Sequence, residues 1–214
     1  ETKDEENYTL ERFGMRPLEY MESLGWIGPD VWYAHGIHFN DAELKRLAET
    51  GTGVAHCPIS NMKLSSGIAR IPEMLKLGVR VGLSASNDGS DLLEELRTGF
   101  LLHRLNSSSA APTGYDMLKI ATRGSASILG RDDIGQIAEG MAADFFLINM
   151  DRLSLTGAQF DVSSMLGTVG YKGNVDYTVV NGRVVVREGR LTGVDEEKIT
   201  AEANHCVSRY LGRS

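Results

Sequence analysis

Two histidines that follow short apolar runs are the first candidates for chemistry in this chain. His35 ends the run VWYAH, and His56 lies near the end of the run GVAHC. Histidine is the side chain most often used for proton transfer near neutral pH. Both also have an ordinary interpretation, as buried histidines satisfied by the backbone or by turns, and Pro58 and Asn61 favour a turn after His56.

Two carboxylates are further candidates. Glu1 opens the acidic run ETKDEEN, which would be solvated if it stood alone. Asp88 follows a strand-like run in VRVGLSASNDGSD, where Asn-Asp-Gly-Ser is typical of a turn or a helix cap. The sequence has no P-loop, no dinucleotide-binding glycine motif and no G-x-S-x-G motif. These patterns leave open whether Asp88 is a catalytic acid or a cap.

The elements that would position these residues alternate between strand and helix. Short apolar runs at 31–35, 53–57 and 79–83 are followed by helical patterns at 40–50, 69–78 and 91–105. Asn40 and Glu43 have the spacing of a capping box at the first of these helices. Three such units predict parallel strands covered on both faces. In a parallel barrel the carboxyl ends of the strands surround one opening, so His35 and His56 would lie close together there. His103 and His205 lie within helical patterns, and we assign them no role.

The character of the chain changes near residues 131–140. A helical pattern at 115–130 ends at Gly130, and AADFFLINM and VDYTVVNGRVVVREG then predict strands with a hairpin at Asn181-Gly182. A last helix is predicted at 195–211. We therefore divide the chain into an α/β part, residues 1–133, and a small β-rich part with a C-terminal helix, residues 134–214.

Composition narrows the class of protein. The apolar fraction of 42% can supply a core, and a net charge of −7 argues against non-specific nucleic-acid binding. Apolar stretches fall short of the roughly 20 residues of a membrane helix. Cys57 and Cys206 are far apart and fit reduced thiols. We expect a cytoplasmic homo-oligomer without nucleic-acid or membrane partners. Because the chain opens at Glu1 directly into a helical pattern, we also expect it to be part of a longer chain.

The segments AHGIHFNDAELKRL, GVAHCPISNMKLSSG and IGQIAEGMAADFFLI carry a family resemblance. Together they resemble the amidohydrolase superfamily, and more narrowly its deaminase and chlorohydrolase branch. The phrase SASND is most similar to the 8-oxoguanine deaminases. The resemblance implies an α/β fold, with residues 1–133 as the C-terminal half of a (β/α)8 barrel, about strands 5–8, and a small β-sandwich domain. It also implies one divalent metal ion, for which zinc is the first choice and iron the alternative.

The resemblance further implies roles for individual residues. Glu1 matches the glutamate of the family's HxxE motif, which shuttles a proton, and His35 matches a histidine that contacts the metal-bound water. His56 and Asn61 match the HCPxSN segment, which shapes the substrate pocket. The family's metal ligands have no counterpart, since the aspartate expected between Leu83 and Ser84 is absent, as are the histidine ligands. We therefore assign no metal ligand, and we interpret Asp88 as part of a turn and cap.

The implied activity is metal-dependent hydrolytic deamination of a purine-like heterocycle, with 8-oxoguanine the first choice. A metal-activated water would attack the ring carbon, and Glu1 would move its proton to a ring nitrogen while ammonia leaves. One alternative is a triazine hydrolase that removes a chloro or alkylamino group, and another is a guanine-type deaminase. A third is a non-catalytic structural module, since the metal ligands are missing.

Overall fold

The computed structural model describes residues 1–85, 91–107 and 111–213, and their contacts form two compact units. The first unit contains Glu1–Gln136 and Leu153–Tyr171, and the second contains Ile137–Arg152 and Lys172–Ser214. The sequence-based division placed all of residues 134–214 in one β-rich part. The chain instead returns to the first unit at Leu153, because Leu155 and Met165 are buried there.

The first unit alternates strands and helices, which confirms the α/β class predicted from the sequence. Its strands are β1 (Trp32–Ala34), β2 (Gly53–His56) and β3 (Arg80–Leu83). Its helices are α1 (Lys3–Phe13), α2 (Pro17–Ser23), α3 (Asp41–Thr50), α4 (Pro58–Lys63), α5 (Ile71–Leu77), α6 (Leu92–Ser107), α7 (Gly114–Lys119), α8 (Ser125–Ile128) and α9 (Met165–Thr168). A π-helical turn, Ile120–Gly124, joins α7 to α8.

The three strands form one parallel sheet in the order β1-β2-β3, as the repeated strand–helix pattern predicts. The central strand β2 is buried along its whole length. Ala55 of β2 pairs with Ala34 on one side and with Gly82 on the other, so the carboxyl ends of the strands lie at the same edge. That edge is where catalytic side chains gather in α/β proteins.

Local hydrogen bonds explain where the helices begin. The capping box predicted at α3 is confirmed, with Asn40 Oδ1 accepting from Glu43 N at 2.9 Å and Glu43 Oε2 accepting from Asn40 N at 2.7 Å. Helix α6 is capped by Asp91, whose Oδ1 accepts from the Leu93 and Glu94 amides. Asp88, which the sequence assigned to a turn and cap, lies outside the described residues.

The segment after β2 is helical, although the sequence predicted a loop from Pro58 to Gly67. Pro58 starts α4 because its fixed φ suits a first helical position and its missing N–H is not needed there. Glu95 of α6, only 3% exposed, accepts a hydrogen bond from the Ile59 amide at 3.0 Å. A carboxylate at a helix N-terminus satisfies an otherwise unpaired donor and complements the helix dipole.

The free edge of β3 is covered by helical backbone rather than by another described strand. Ser125 Oγ donates to Leu83 O and accepts from Leu83 N, both at 3.1 Å, so one hydroxyl replaces a strand partner. The close approach depends on Gly124, because a Cβ there would lie 2.1 Å from Val81 O.

The second unit is an antiparallel sheet in the order β4-β5-β6-β7 with a helix at its C-terminal end. Its elements are β4 (Phe145–Leu147), β5 (Tyr177–Val180), β6 (Arg183–Arg187), β7 (Arg190–Leu191) and α10 (Glu196–Tyr210). The predicted hairpin turn is confirmed: Asn181 and Gly182 join β5 to β6 with φ of +48° and +77°. Two successive positive φ values match the right-handed twist of the paired strands.

Across the described ranges, every helix is too short or too polar to cross a lipid bilayer.

Candidate active site

The structure brings Glu1 and His35 together. Glu1 Oε2 lies 3.4 Å from His35 Nε2. Each side chain has a second partner: Ser66 Oγ donates to Glu1 Oε1 at 3.0 Å, and His35 Nδ1 lies 2.7 Å from Asn61 Oδ1. The Glu1 and His35 side chains are 18% and 13% exposed, so water can still reach the pair. A carboxylate and an imidazole at this distance can exchange a proton through a shared water.

The backbone around His35 is unusual. His35 has φ of +67° and is followed by Gly36 with φ of +64°. Left-handed backbone is uncommon outside glycine and often marks a functional site. Gly36 must lack a side chain, because a Cβ there would lie 2.7 Å from Val54 Cγ1. The His35 amide still donates to Ala55 O at 2.8 Å, which holds this turn against the end of β2.

The partners of the pair come from α4 and the loop after it. Asn61 lies on α4 and is 1% exposed. Its main-chain oxygen accepts from Ser66 N at 3.0 Å, so the loop folds back onto the helix and presents the Ser66 hydroxyl to Glu1. Of the residues that the sequence singled out, Glu1, His35 and Asn61 therefore form one cluster.

His56 has a different neighbour, which the sequence did not reveal. It is fully buried, and its Nε2 lies 3.1 Å from Nε2 of His103 on α6. No sequence signal relates these two residues, because they are 47 positions apart and only tertiary packing joins them. The Nδ1 atoms of both rings have no hydrogen-bond partner among the described residues. The substrate-binding role of His56 stays a prediction.

The two buried histidines are neutral near pH 7. Burial lowers the pKa of His56 to about 3, and the nearby His103 and His35 add to this effect. Burial also lowers the pKa of His103 to about 4. A charged imidazole is disfavoured away from water. In the neutral pair, one Nε2–H can donate to the other Nε2, which fits a structural contact between β2 and α6.

The described residues do not by themselves fit a divalent metal. Within 1–85, 91–107 and 111–213, no group of three or more His, Cys, Asp or Glu side chains is placed to hold one. Glu1 and His35 offer two donors, and the other ring nitrogen of His35 faces Asn61. Catalytic zinc sites generally take three protein ligands.

A cavity of about 190 Å³ lies beside Glu1. Its lining includes Arg16, Tyr33 and Glu43 but not His35 or Asn61. Arg16 donates to both oxygens of Glu43 at 2.9 Å, and these hydrogen bonds raise the pKa of Arg16. The Arg16–Glu43 pair holds the segment before α2 to α3.

A parallel sheet with a carboxylate–imidazole pair beside its carboxyl edge defines an α/β protein with a candidate proton-transfer site. The model of the amidohydrolase family matches residues 1–185. The chain belongs to this family.

Similar proteins act on nitrogen heterocycles. The chain is 44% identical to hydroxydechloroatrazine ethylaminohydrolase of Pseudomonas sp. strain ADP, over 94% of this chain and 43% of the relative. It is also 44% identical to 8-oxoguanine deaminase of Pseudomonas aeruginosa, over 99% of this chain and 47% of the relative. A similar solved structure is the zinc complex of atrazine chlorohydrolase TrzN from Arthrobacter aurescens TC1, with a TM-score of 0.88 and 32% identity, covering 94% of this chain and 46% of that one. The chain spans about half the length of the curated relatives that it matches.

Proposed function

We propose that the protein, as a whole, hydrolytically deaminates a purine-like heterocycle, and that 8-oxoguanine is the first substrate to test. The observation that carries this proposal is the Glu1–His35 pair, with Glu1 Oε2 3.4 Å from His35 Nε2 beside the carboxyl edge of a parallel sheet. The similarity to an 8-oxoguanine deaminase supports the choice of substrate.

In this proposal Glu1 is the proton shuttle. Its carboxylate takes a proton from the attacking water and passes it to a ring nitrogen, so the same group acts first as base and then as acid. The water oxygen bonds to the ring carbon, its second hydrogen passes to the amino group, the carbon–nitrogen bond to that group breaks, and ammonia leaves. His35 holds the attacking water and, once it has taken up a proton, stabilises the charge that develops on the water oxygen. Asn61 and His56 are retained as predicted pocket residues.

A triazine hydrolase is the second candidate. The chain is 44% identical to hydroxydechloroatrazine ethylaminohydrolase, the same identity as to the 8-oxoguanine deaminase, and this similarity supports the second candidate. Both candidates attack a ring carbon between ring nitrogens and expel an exocyclic group, and they differ in whether ammonia, an alkylamine or chloride leaves. A guanine-type deaminase is a variant of the first candidate with a different purine.

The proposal extends to the rest of the protein. We propose that the sheet β1-β2-β3 is a segment of a (β/α)8 barrel, that the second unit contributes to a small β-sandwich, and that the enzyme is a cytoplasmic homo-oligomer. The zinc in a similar structure supports a divalent metal, zinc first and iron second. Because the described residues do not supply its ligands, we derive no step of the reaction through it.

A parallel substrate assay tests the proposal. The protein produced from its whole gene is incubated with 8-oxoguanine, guanine, an N-ethylamino hydroxytriazine and a chlorotriazine, and released ammonia, ethylamine and chloride are measured. We expect ammonia from 8-oxoguanine, with kcat/KM at least about 10-fold above that for guanine, since one unpaired polar group in a pocket costs at least this much.

Other outcomes of the same assay favour the alternatives. Ethylamine or chloride release without ammonia would move the assignment to a triazine hydrolase. No product from any of the four compounds, together with no metal bound to the purified protein, would favour a non-catalytic structural module.

A further inference from the structure

We infer that Asn61 is a positioning residue that fixes the tautomer of His35 through its side chain and the orientation of Glu1 through its main chain. The catalytic consequence of this inference rests on the proposed function, whereas the hydrogen bonds do not.

The first half of the inference concerns the His35 ring. An amide oxygen can only accept a hydrogen bond, and Asn61 Oδ1 lies 2.7 Å from His35 Nδ1. Nδ1 must therefore carry the hydrogen. A neutral imidazole has one N–H, so the lone pair is on Nε2, the nitrogen that lies 3.4 Å from Glu1 Oε2. In this tautomer His35 can accept a proton from a water between it and Glu1.

The second half concerns Glu1. The main-chain oxygen of Asn61 accepts from Ser66 N at 3.0 Å, and the hydroxyl of Ser66 donates to Glu1 Oε1 at 3.0 Å. One carboxylate oxygen is thereby held by Ser66, while Oε2 faces His35. Asn61 thus supports both members of the pair, directly for His35 and through one residue for Glu1.

Asn61 is well placed to hold a fixed geometry. It is 1% exposed, and it lies in α4, whose N-terminal amide at Ile59 is bound by the buried carboxylate of Glu95. Its Nδ2 is buried and has no partner within the described part of the chain. The carbonyl of Asn61 is occupied by His35, so a predicted contact of Asn61 with substrate would have to use Nδ2.

Nitrogen NMR of the histidine rings tests the tautomer without any substrate. The full protein is labelled with ¹⁵N-histidine, and the His35 signals are assigned by their loss in His35→Gln. At a pH where His35 is neutral, we expect a protonated Nδ1 and an unprotonated Nε2. Asn61→Asp keeps an acceptor oxygen and should keep this tautomer, whereas Asn61→Leu should lose it. A parent protein with the hydrogen on Nε2, or an Asn61→Leu variant with the parent's tautomer, would overturn the inference.

Kinetics give the second readout. For Asn61→Leu we expect kcat to fall about 10–100-fold, by more than KM rises, because the lost interaction with His35 orients a proton-transfer group. Asn61→Asp should retain more of kcat than Asn61→Leu. Asn204→Leu, on the exposed face of α10, is the matched control and should behave like the parent.

The two proposals fail in different ways. A parent protein with the expected tautomer but no deaminase activity would contradict the proposed function and leave the role of Asn61 intact. An active deaminase with the opposite tautomer would contradict only the role of Asn61. If Asn61→Leu does not fold, the parent protein and Asn61→Asp still decide the tautomer, and loss of the Nδ1 proton in Asn61→Asp would count against the inference.

Discussion

Glu1 has one carboxylate oxygen bonded to Ser66 and the other turned towards His35. In the sequence it stands in an acidic run in which every member could be a solvated surface residue. Glu1 differs from Asp4 and Glu6 in that it contacts both Ser66 and His35. These two contacts suit a group that must accept and return a proton without changing position.

We predict that Glu1→Gln lowers kcat by about 10²–10⁴-fold, because an amide cannot take up and release the proton. The glutamine oxygen can still accept from Ser66, so thermal unfolding and metal content should stay near those of the parent. Steady-state kinetics and metal analysis check this prediction. Glu11→Gln, at an exposed position of α1, is the control and should leave kcat unchanged. Near-normal turnover in Glu1→Gln would remove Glu1 from the proton-transfer role.

At the scale of elements, the β3 edge shows how helical backbone can stand beside a strand. Ser125 Oγ serves both polar groups of Leu83, and Gly124 allows the helix to approach Val81 O. The pattern of the sequence predicted a strand at 79–83, which is confirmed as β3, and a helix at 115–130, which the structure divides into α7, a π-helical turn and α8. It did not predict that they meet through one hydroxyl, because a serine inside a helical pattern carries no sign of its distant partner.

We predict that Ser125→Ala lowers the free energy of unfolding of the first unit by about 1–3 kcal/mol, because buried Leu83 would keep unpaired polar groups. Ser127→Ala in the same helix is the matched control. The Ser127 carbonyl, not its hydroxyl, accepts from Arg80, so this change should cost less than about 0.5 kcal/mol. Chemical denaturation checks both variants, and equal stability of the two would contradict the proposed role of the Ser125 hydroxyl.

At the scale of the whole molecule, the buried His56–His103 pair makes stability depend on pH. The pKa values of these residues, about 3 and about 4 in the folded protein, lie below the ordinary value of 6.5. Below pH 6.5 the unfolded chain therefore binds more protons than the folded chain. The contribution of the neutral pair to the free energy of unfolding is complete above pH 6.5. It is lost as the pH falls towards the pKa values of the two histidines in the folded protein.

We predict that the free energy of unfolding falls between pH 6 and pH 4.5 by up to about 1.4 kcal/mol per pH unit for each of the two histidines. Denaturation curves at several pH values measure this slope. His103→Asn removes one titrating group and should reduce the slope by about half, whereas His205→Gln, at an exposed position of α10, should leave it unchanged. A parent protein with constant stability over this range would contradict the prediction.

The sequence by itself determined the alternation of strands and helices, the parallel sheet, the hairpin at Asn181-Gly182 and the family. These follow from local periodicity, capping and turn chemistry, which act between residues close in the chain. It also indicated His35 from its position at the end of a strand, and Glu1 and Asn61 by resemblance. It did not predict the helix α4, whose first free amide is bound by the distant Glu95, or the return of residues 153–171 to the first unit.

Only the tertiary structure decided which of the candidate residues meet. Glu1, His35, Asn61 and Ser66 lie in different parts of the chain. They come into contact because the chain folds α4 and its loop back over the end of β1. His56 likewise meets its partner, His103, only through the tertiary contact between α6 and β2. Such contacts depend on the direction of side chains across long separations in sequence, and local pattern contains no information about that direction.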